Sequence, residues 1–154
     1  MPTVSLRPLR ENEFDAWSAA HTRGYADGMT AFTAMARATA DAKAAHDVAA
    51  VLPQGRATAG VHLWVVEDES GRSVGSVFLG LRHGGAFLYD ITIDDAERGR
   101  GLGRAAMLAL EEEVRALGFG EIVLNVWGGN EIARSLYRSV GYAEDSVEMR
   151  KRLT

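Results

Sequence analysis

Apolar and polar positions along the chain change period several times, and each change marks an element. Thr3 to Leu6 alternates and reads as a short strand, ended by Pro8. From Glu11 to Thr22 the spacing turns helical, with Phe14, Trp17 and Ser18 along one side. Gly24 and Gly28 are expected to interrupt this helix, and Met29 to Val51 to form a second, alanine-rich one. A loop follows around Pro53, Gly55 and Gly60. His62–Glu67 and Ser73–Leu81 read as strands joined by a hairpin turn over Asp68–Arg72, and Ala86–Ile93 as the third strand of an antiparallel meander.

Beyond Ile93 the pattern becomes strand, helix, strand, helix, strand. A polar, glycine-rich turn from Asp94 to Gly101 precedes a helix with Leu102, Ala106, Leu110, Val114 and Leu117 on one face and Glu111, Glu112, Glu113 and Arg115 largely on the other. Gly118 and Gly120 close it. Glu121–Val126 reads as a strand, Asn130–Val140 as a helix stopped by Gly141, and Glu144–Lys151 as a last strand. The economical arrangement is α/β (α+β): a mixed, mostly antiparallel sheet with helices on both faces. No repeat or low-complexity linker divides the chain, which predicts a single domain over residues 1–154.

Composition narrows the function. A net charge of −4 argues against a surface built for nucleic acid, and no apolar run is long enough to span a membrane. A cytoplasmic location is the expectation, since Met1–Leu9 lacks the hydrophobic core of a signal peptide. The chain has no cysteine, so disulfides, thiolate metal sites and a cysteine nucleophile are excluded. Its four histidines, His21, His46, His62 and His83, lack metal-ligand spacing, and no metal is expected.

The chemistry centres on Arg98-Gly99-Arg100-Gly101-Leu102-Gly103-Arg104, which leaves a strand and opens a helix. The first turn of a helix has N–H groups without internal partners and a partial positive charge. Glycines allow an anion close to the backbone, and three arginines add charge, so the stretch suits a pyrophosphate. It lacks the Gly-Lys-Ser/Thr of a P-loop. Gly101 to Ala106 does fit the dinucleotide pattern G-x-G-x-x-A. However, the acidic residue at the expected distance, Glu121, stands at the wrong end of the next strand, and the preceding meander is antiparallel.

Arg98 to Gly103 also fits R/Q-x-x-G-x-G/A, and Asn130, Ala133, Leu136, Tyr137, Gly141 and Tyr142 fit N-x-x-A-x-x-L-Y-x-x-x-G-F/Y. With Phe87–Ile93 ahead of the first motif and Leu6-Arg7-Pro8-Leu9 at the start, the chain resembles the GNAT superfamily of N-acetyltransferases over nearly its whole length. The resemblance implies a central sheet of roughly six to seven strands, with acetyl-CoA as cosubstrate and an amine as acceptor. It also implies direct attack of the amine on the acetyl carbonyl in a ternary complex. The backbone of Ile91 and Ile93 would hold the pantetheine arm where the fourth and fifth strands splay. Backbone amides of Arg98, Gly99, Arg100, Gly101, Leu102, Gly103 and Arg104 would hold the pyrophosphate. Asn130 would contact the pantetheine, cap the last helix, or do both.

Tyr137 matches the tyrosine placed beside the thioester sulfur, and Asp90 is the candidate base for the amine, with His62 and Glu67 behind it. Strand alternation predicts opposite directions for Tyr89 and Asp90. The acceptor would be shaped by Glu11–Gly60, which carries Trp17, His21, Tyr25, Asp27 and His46. A catalytically inactive acyl-CoA-binding regulator is the alternative reading, and homodimerisation through a sheet edge is a further expectation.

Overall fold

The structure is a computed structural model that describes residues 1–154. Five strands form one sheet in chain order: β1 (Ser5–Pro8), β2 (His62–Glu67), β3 (Ser73–Arg82), β4 (Gly85–Ile93) and β5 (Ile122–Leu124). β1 to β4 are antiparallel neighbours, and β5 joins β4 in parallel. The helices are α1 (Phe14–Phe32), α2 (Arg37–Val51), α3 (Leu102–Ala116) and α4 (Glu131–Ser139).

Alternation along the strands sorts the core into two faces. Trp64, Val66, Val77, Leu79 and Leu88 pack with Leu102, Ala106, Met107, Leu110 and Val114 of α3. Leu63, Val65 and Phe78 point the other way and pack with Val48 and Leu52, with Phe14, Trp17 and Tyr25 of α1 closing over them. Helices therefore cover both faces, as the pattern predicts. Ala26 and Met29 of α1 meet Ala40 and Ala44 of α2 in a third cluster. Small residues spaced four apart let α2 lie close against α1.

Three expectations are corrected. First, α1 runs unbroken through Gly24 and Gly28, and the break falls at Thr33–Ala36. Each glycine costs about 1 kcal/mol relative to alanine, which tertiary packing outweighs. At Gly28 the missing side chain has a use: a Cβ there would come within 2.8 Å of the Trp127 indole nitrogen. The break follows from Thr33, whose backbone is extended and whose hydroxyl accepts from Met35 N–H at 3.1 Å.

Second, the sheet has five strands rather than six to seven. Residues from Ala143 onward form no strand, although Val147 and Met149 alternate with Glu148 and Arg150. No backbone–backbone hydrogen bond in the chain lies beyond that of Tyr142 N–H with Tyr137 O. Alternation supplies the side-chain pattern of a strand, but a strand also needs a neighbour to accept its ladder. The expected fifth strand, Glu121–Val126, is likewise only Ile122–Leu124.

Third, Tyr89 and Asp90 do not face opposite ways. The β3–β4 register pairs Phe78 with Asp90 but Leu79 with Leu88, which leaves Tyr89 as the extra residue of a bulge. Tyr89 stacks on Phe78, with ring centroids 4.7 Å apart, so both it and Asp90 lie on the α1 side.

Candidate active site

β4 outruns β5. Their pairing covers only Ala86–Leu88 against Ile122–Leu124, so β4 continues to Ile93 with no strand on that side. The bond from Asp94 N–H to Val74 O, 2.9 Å, sets the phase of the antiparallel ladder. Asp94, Thr92 and Asp90 direct their backbone groups at β3, and Ile91 and Ile93 direct theirs into the gap beyond Leu124. Arg98 reports the same direction, since its Nε–H donates to Ile93 O at 3.3 Å.

The glycine turn stands at the mouth of this gap. Gly99 and Gly101 have φ of 79° and 77°, left-handed values that suit glycine. They curl the chain so that no backbone N–H from Gly99 to Arg104 donates to a protein acceptor, and the next bond is Ala105 N–H to Gly101 O. Gly101 caps α3 without a side chain. The result is a row of amide donors at a helix N-terminus, a site suited to phosphate oxygens. The arginine side chains are engaged elsewhere: Arg98 with Asp95 at 3.0 Å, Arg100 with Glu97, and Arg104 with Ser139 O at 2.8 Å. The first pair is exposed and exchanges at little cost, whereas Glu97 of the second is mostly buried and also pairs with Arg72 at 3.0 Å.

α4 closes the other side. Asn130 is its N-cap and accepts from Ala133 N–H at 3.2 Å. Gly141 ends it, with Gly141 N–H to Arg138 O and Tyr142 N–H to Tyr137 O both 3.0 Å, the paired bonds of a Schellman turn. Ala133, Leu136, Tyr137 and Val140 share its inner face. A Cβ on Gly103 would lie 3.3 Å from Leu136 and 3.9 Å from Ile93, so α3, α4 and β4 converge one residue from Tyr137.

Tyr137 lies within this convergence. Its hydroxyl has no hydrogen-bond partner in the protein but is not sealed from solvent. Burial, and then the negative charge of Asp90, push its pKa up to about 12. The hydroxyl is thus held in the donor form. Tyr142, stacked at a tilt beside it with ring centroids 5.8 Å apart, is also pushed up to about 12, first by burial.

Asp90 is half-buried on the α1 side. Its Oδ2 accepts from Thr92 Oγ1–H at 2.8 Å and lies 3.4 Å from His21 Nδ1. Of the expected acceptor residues, Trp17 and His21 join this group, a pairing hidden from a sequence in which His21 and Asp90 lie 69 residues apart. Tyr25 instead donates to Asp47 at 2.9 Å, Asp27 pairs with Arg37, and His46 is exposed on α2. Glu67 is held by Arg7 at 2.6 Å, and His62 stacks on Trp64; neither belongs to the group around Asp90.

A mixed sheet that splays beside an amide-lined turn, with a tyrosine at the gap, is the architecture of an acetyltransferase. Residues 29–142 match the family described as the Acetyltransferase (GNAT) family, so the chain belongs to that family. It is 28% identical to YdgE of Bacillus subtilis (strain 168), named an uncharacterized N-acetyltransferase, over 97% of this chain and 98% of the relative. The crystal structure of YycN from Bacillus subtilis, named an uncharacterized N-acetyltransferase, superimposes with a TM-score of 0.92 at 28% identity, covering 99% of each chain. The aminoglycoside N-acetyltransferase AAC(6')-Iy, solved in complex with CoA, shares the fold at a TM-score of 0.61 and 14% identity, covering 99% of this chain and 97% of that one.

Proposed function

We propose that the protein transfers an acetyl group from acetyl-CoA directly to a primary amine. The observation that carries this reading is the row of unpartnered N–H groups from Gly99 to Arg104 opening on the β4–β5 gap. Those amides suit the pyrophosphate, and the gap-facing backbone of Ile91 and Ile93 suits the amide groups of a pantetheine arm. That arm points the thioester toward Tyr137. Asn130 caps α4 and thereby fixes the helix that carries Tyr137.

The amine nitrogen forms a bond to the acetyl carbon, and the carbon–sulfur bond breaks. Tyr137 donates a hydrogen bond to the sulfur as negative charge collects there. With the tyrosine near 12 and a thiol near about 8.5, full proton transfer from Tyr137 is uphill by about 5 kcal/mol. Its role is therefore hydrogen bonding, with the proton on sulfur supplied from elsewhere. Asp90 is the anionic group on the acceptor side, where an arriving ammonium must lose a proton. The acceptor enters from the α1 face, beside Trp17 and His21. Because acetyl-CoA is its acyl donor, we place the enzyme in the cytoplasm.

Calorimetry with acetyl-CoA tests the reading, on wild type and on Gly101→Trp. An indole at a left-handed position in front of the amide row should abolish binding while the fold persists. Wild type that binds no acetyl-CoA, or a Gly101→Trp protein that binds it normally, would refute the assignment. Wild type that binds but acetylates no amine in a broad screen would favour the regulatory alternative.

A further inference from the structure

The imidazole of His21 is held between two aromatic rings and a carboxylate. Its ring stacks on Trp17 at 5.0 Å with an interplanar angle of 6°, and meets Phe78 edge-on at 5.3 Å. Trp17 is itself pinned by its indole N–H, which donates to Ser76 Oγ at 3.2 Å. Residues from α1, β3 and β4 thus fix the imidazole plane. One ring nitrogen, Nδ1, faces Asp90 Oδ2 at 3.4 Å. The other, Nε2, has no protein partner and is not among the sealed polar atoms of the chain, although the side chain is only 12% exposed. His21, Asp90 and Tyr137 all line one large open cleft.

Resting on the acetyl-transfer reading above, we infer that the proton leaving the acceptor is received at Nε2 of His21, and that Asp90 is the residue that positions the imidazole. A nitrogen facing a carboxylate carries the hydrogen, so the Nδ1 contact selects the tautomer whose lone pair is on Nε2. The match to the task also favours imidazole. An ordinary carboxylate lies roughly 6 pKa units below an alkylammonium and an ordinary imidazole roughly 4, and the better base at neutral pH is the closer one. Asp90 then balances the imidazolium that forms. Thr92, which donates to the same Oδ2, keeps that carboxylate in place.

Two protons leave the nitrogen of an alkylammonium during amide formation. The first passes to Nε2 and on to solvent before attack. The second is lost as the carbon–nitrogen bond forms, and it ends on the CoA sulfur after the carbon–sulfur bond breaks. The bulge at Tyr89 is what puts Asp90 on the α1 face, within reach of His21.

The test has a spectroscopic and a kinetic arm, both on the full chain. In ¹⁵N-imidazole NMR above neutral pH, with His21→Gln assigning the signal, wild type should show His21 protonated at Nδ1 and bare at Nε2. Asp90→Asn should lower that fraction. In the kinetic arm the probe is acetyl-CoA with water as acceptor, followed by thiol release. His21→Gln should slow this hydrolysis by about a hundredfold, with acetyl-CoA affinity unchanged within about twofold, and added imidazole should restore part of the rate to His21→Gly.

A wild-type His21 protonated at Nε2 would overturn the assignment. So would a His21→Gln protein that hydrolyses at the wild-type rate while Asp90→Asn does not, because Asp90 would then be the base itself. Wild type that binds acetyl-CoA without hydrolysing it above the buffer rate also counts against it. Wild type that fails to bind acetyl-CoA at all removes the acetyl-transfer reading, and this assignment with it.

Discussion

Replacing Tyr137 by phenylalanine separates packing from chemistry, because the two readings of this side chain predict opposite outcomes. The ring packs against the core between sheet and α3, and phenylalanine keeps that contact. The hydroxyl has no protein partner to lose. Its removal also deletes a polar group that burial penalises, so folding stability should be unchanged or slightly raised. Binding of acetyl-CoA should change little, since the amide row and the gap are untouched. Turnover should fall. A hydrogen bond to a charged acceptor is worth about 1.5–3 kcal/mol, which corresponds to roughly a ten- to hundredfold loss in kcat. Release of CoA can be followed with a thiol reagent without background, because the chain has no cysteine. The acceptor would be an amine taken from the screen. A kcat within about twofold of wild type would show that Tyr137 only packs. A Tm lowered by several degrees would show that the hydroxyl has a structural partner after all.

Three further outcomes follow from local geometry. Asn130→Ala removes the cap of α4 and should cost about 1 kcal/mol, or roughly 2–4 °C in thermal melting; a larger loss of acetyl-CoA affinity than of stability would mean that the side chain also touches the cosubstrate. Gly24→Ala and Gly28→Ala should move stability in opposite directions by chemical denaturation. The first places a Cβ in open space and should stabilise α1 by about 0.5–1 kcal/mol. The second drives a Cβ to 2.8 Å from Trp127, and should cost about 1–3 kcal/mol. Finally, Tyr137 and Tyr142 are both held neutral, with pKa values near 12 against an ordinary 10. The stabilisation this represents is complete below pH 10 and is lost as pH rises toward 12, together roughly 2–4 kcal/mol after allowance for their partial exposure. Urea melts across that range should show the decline, and Tyr142→Phe should flatten it.

Much of the candidate site was legible because local chemistry writes it into neighbouring residues. A left-handed turn demands glycine, a helix start leaves amides unpaired, and a cap calls for asparagine, so Gly99, Gly101 and Asn130 are readable from spacing. The inner face of α4, with Tyr137 on it, follows from helical period. The antiparallel order of β1 to β4 follows from alternation and short turns. What alternation could not supply was the neighbour. Ala143 onward has the pattern of a strand and no partner, and Glu121–Val126 keeps only three of its residues in the sheet. Nor could it supply the bulge at Tyr89, which one inserted residue creates and only the β3 register exposes. The pairing of His21 with Asp90 depends on that bulge and on an α1 that runs past two glycines, both of them consequences of packing between segments distant in the chain. Sequence fixes what each segment can do alone, whereas contact between segments decides which side chains meet.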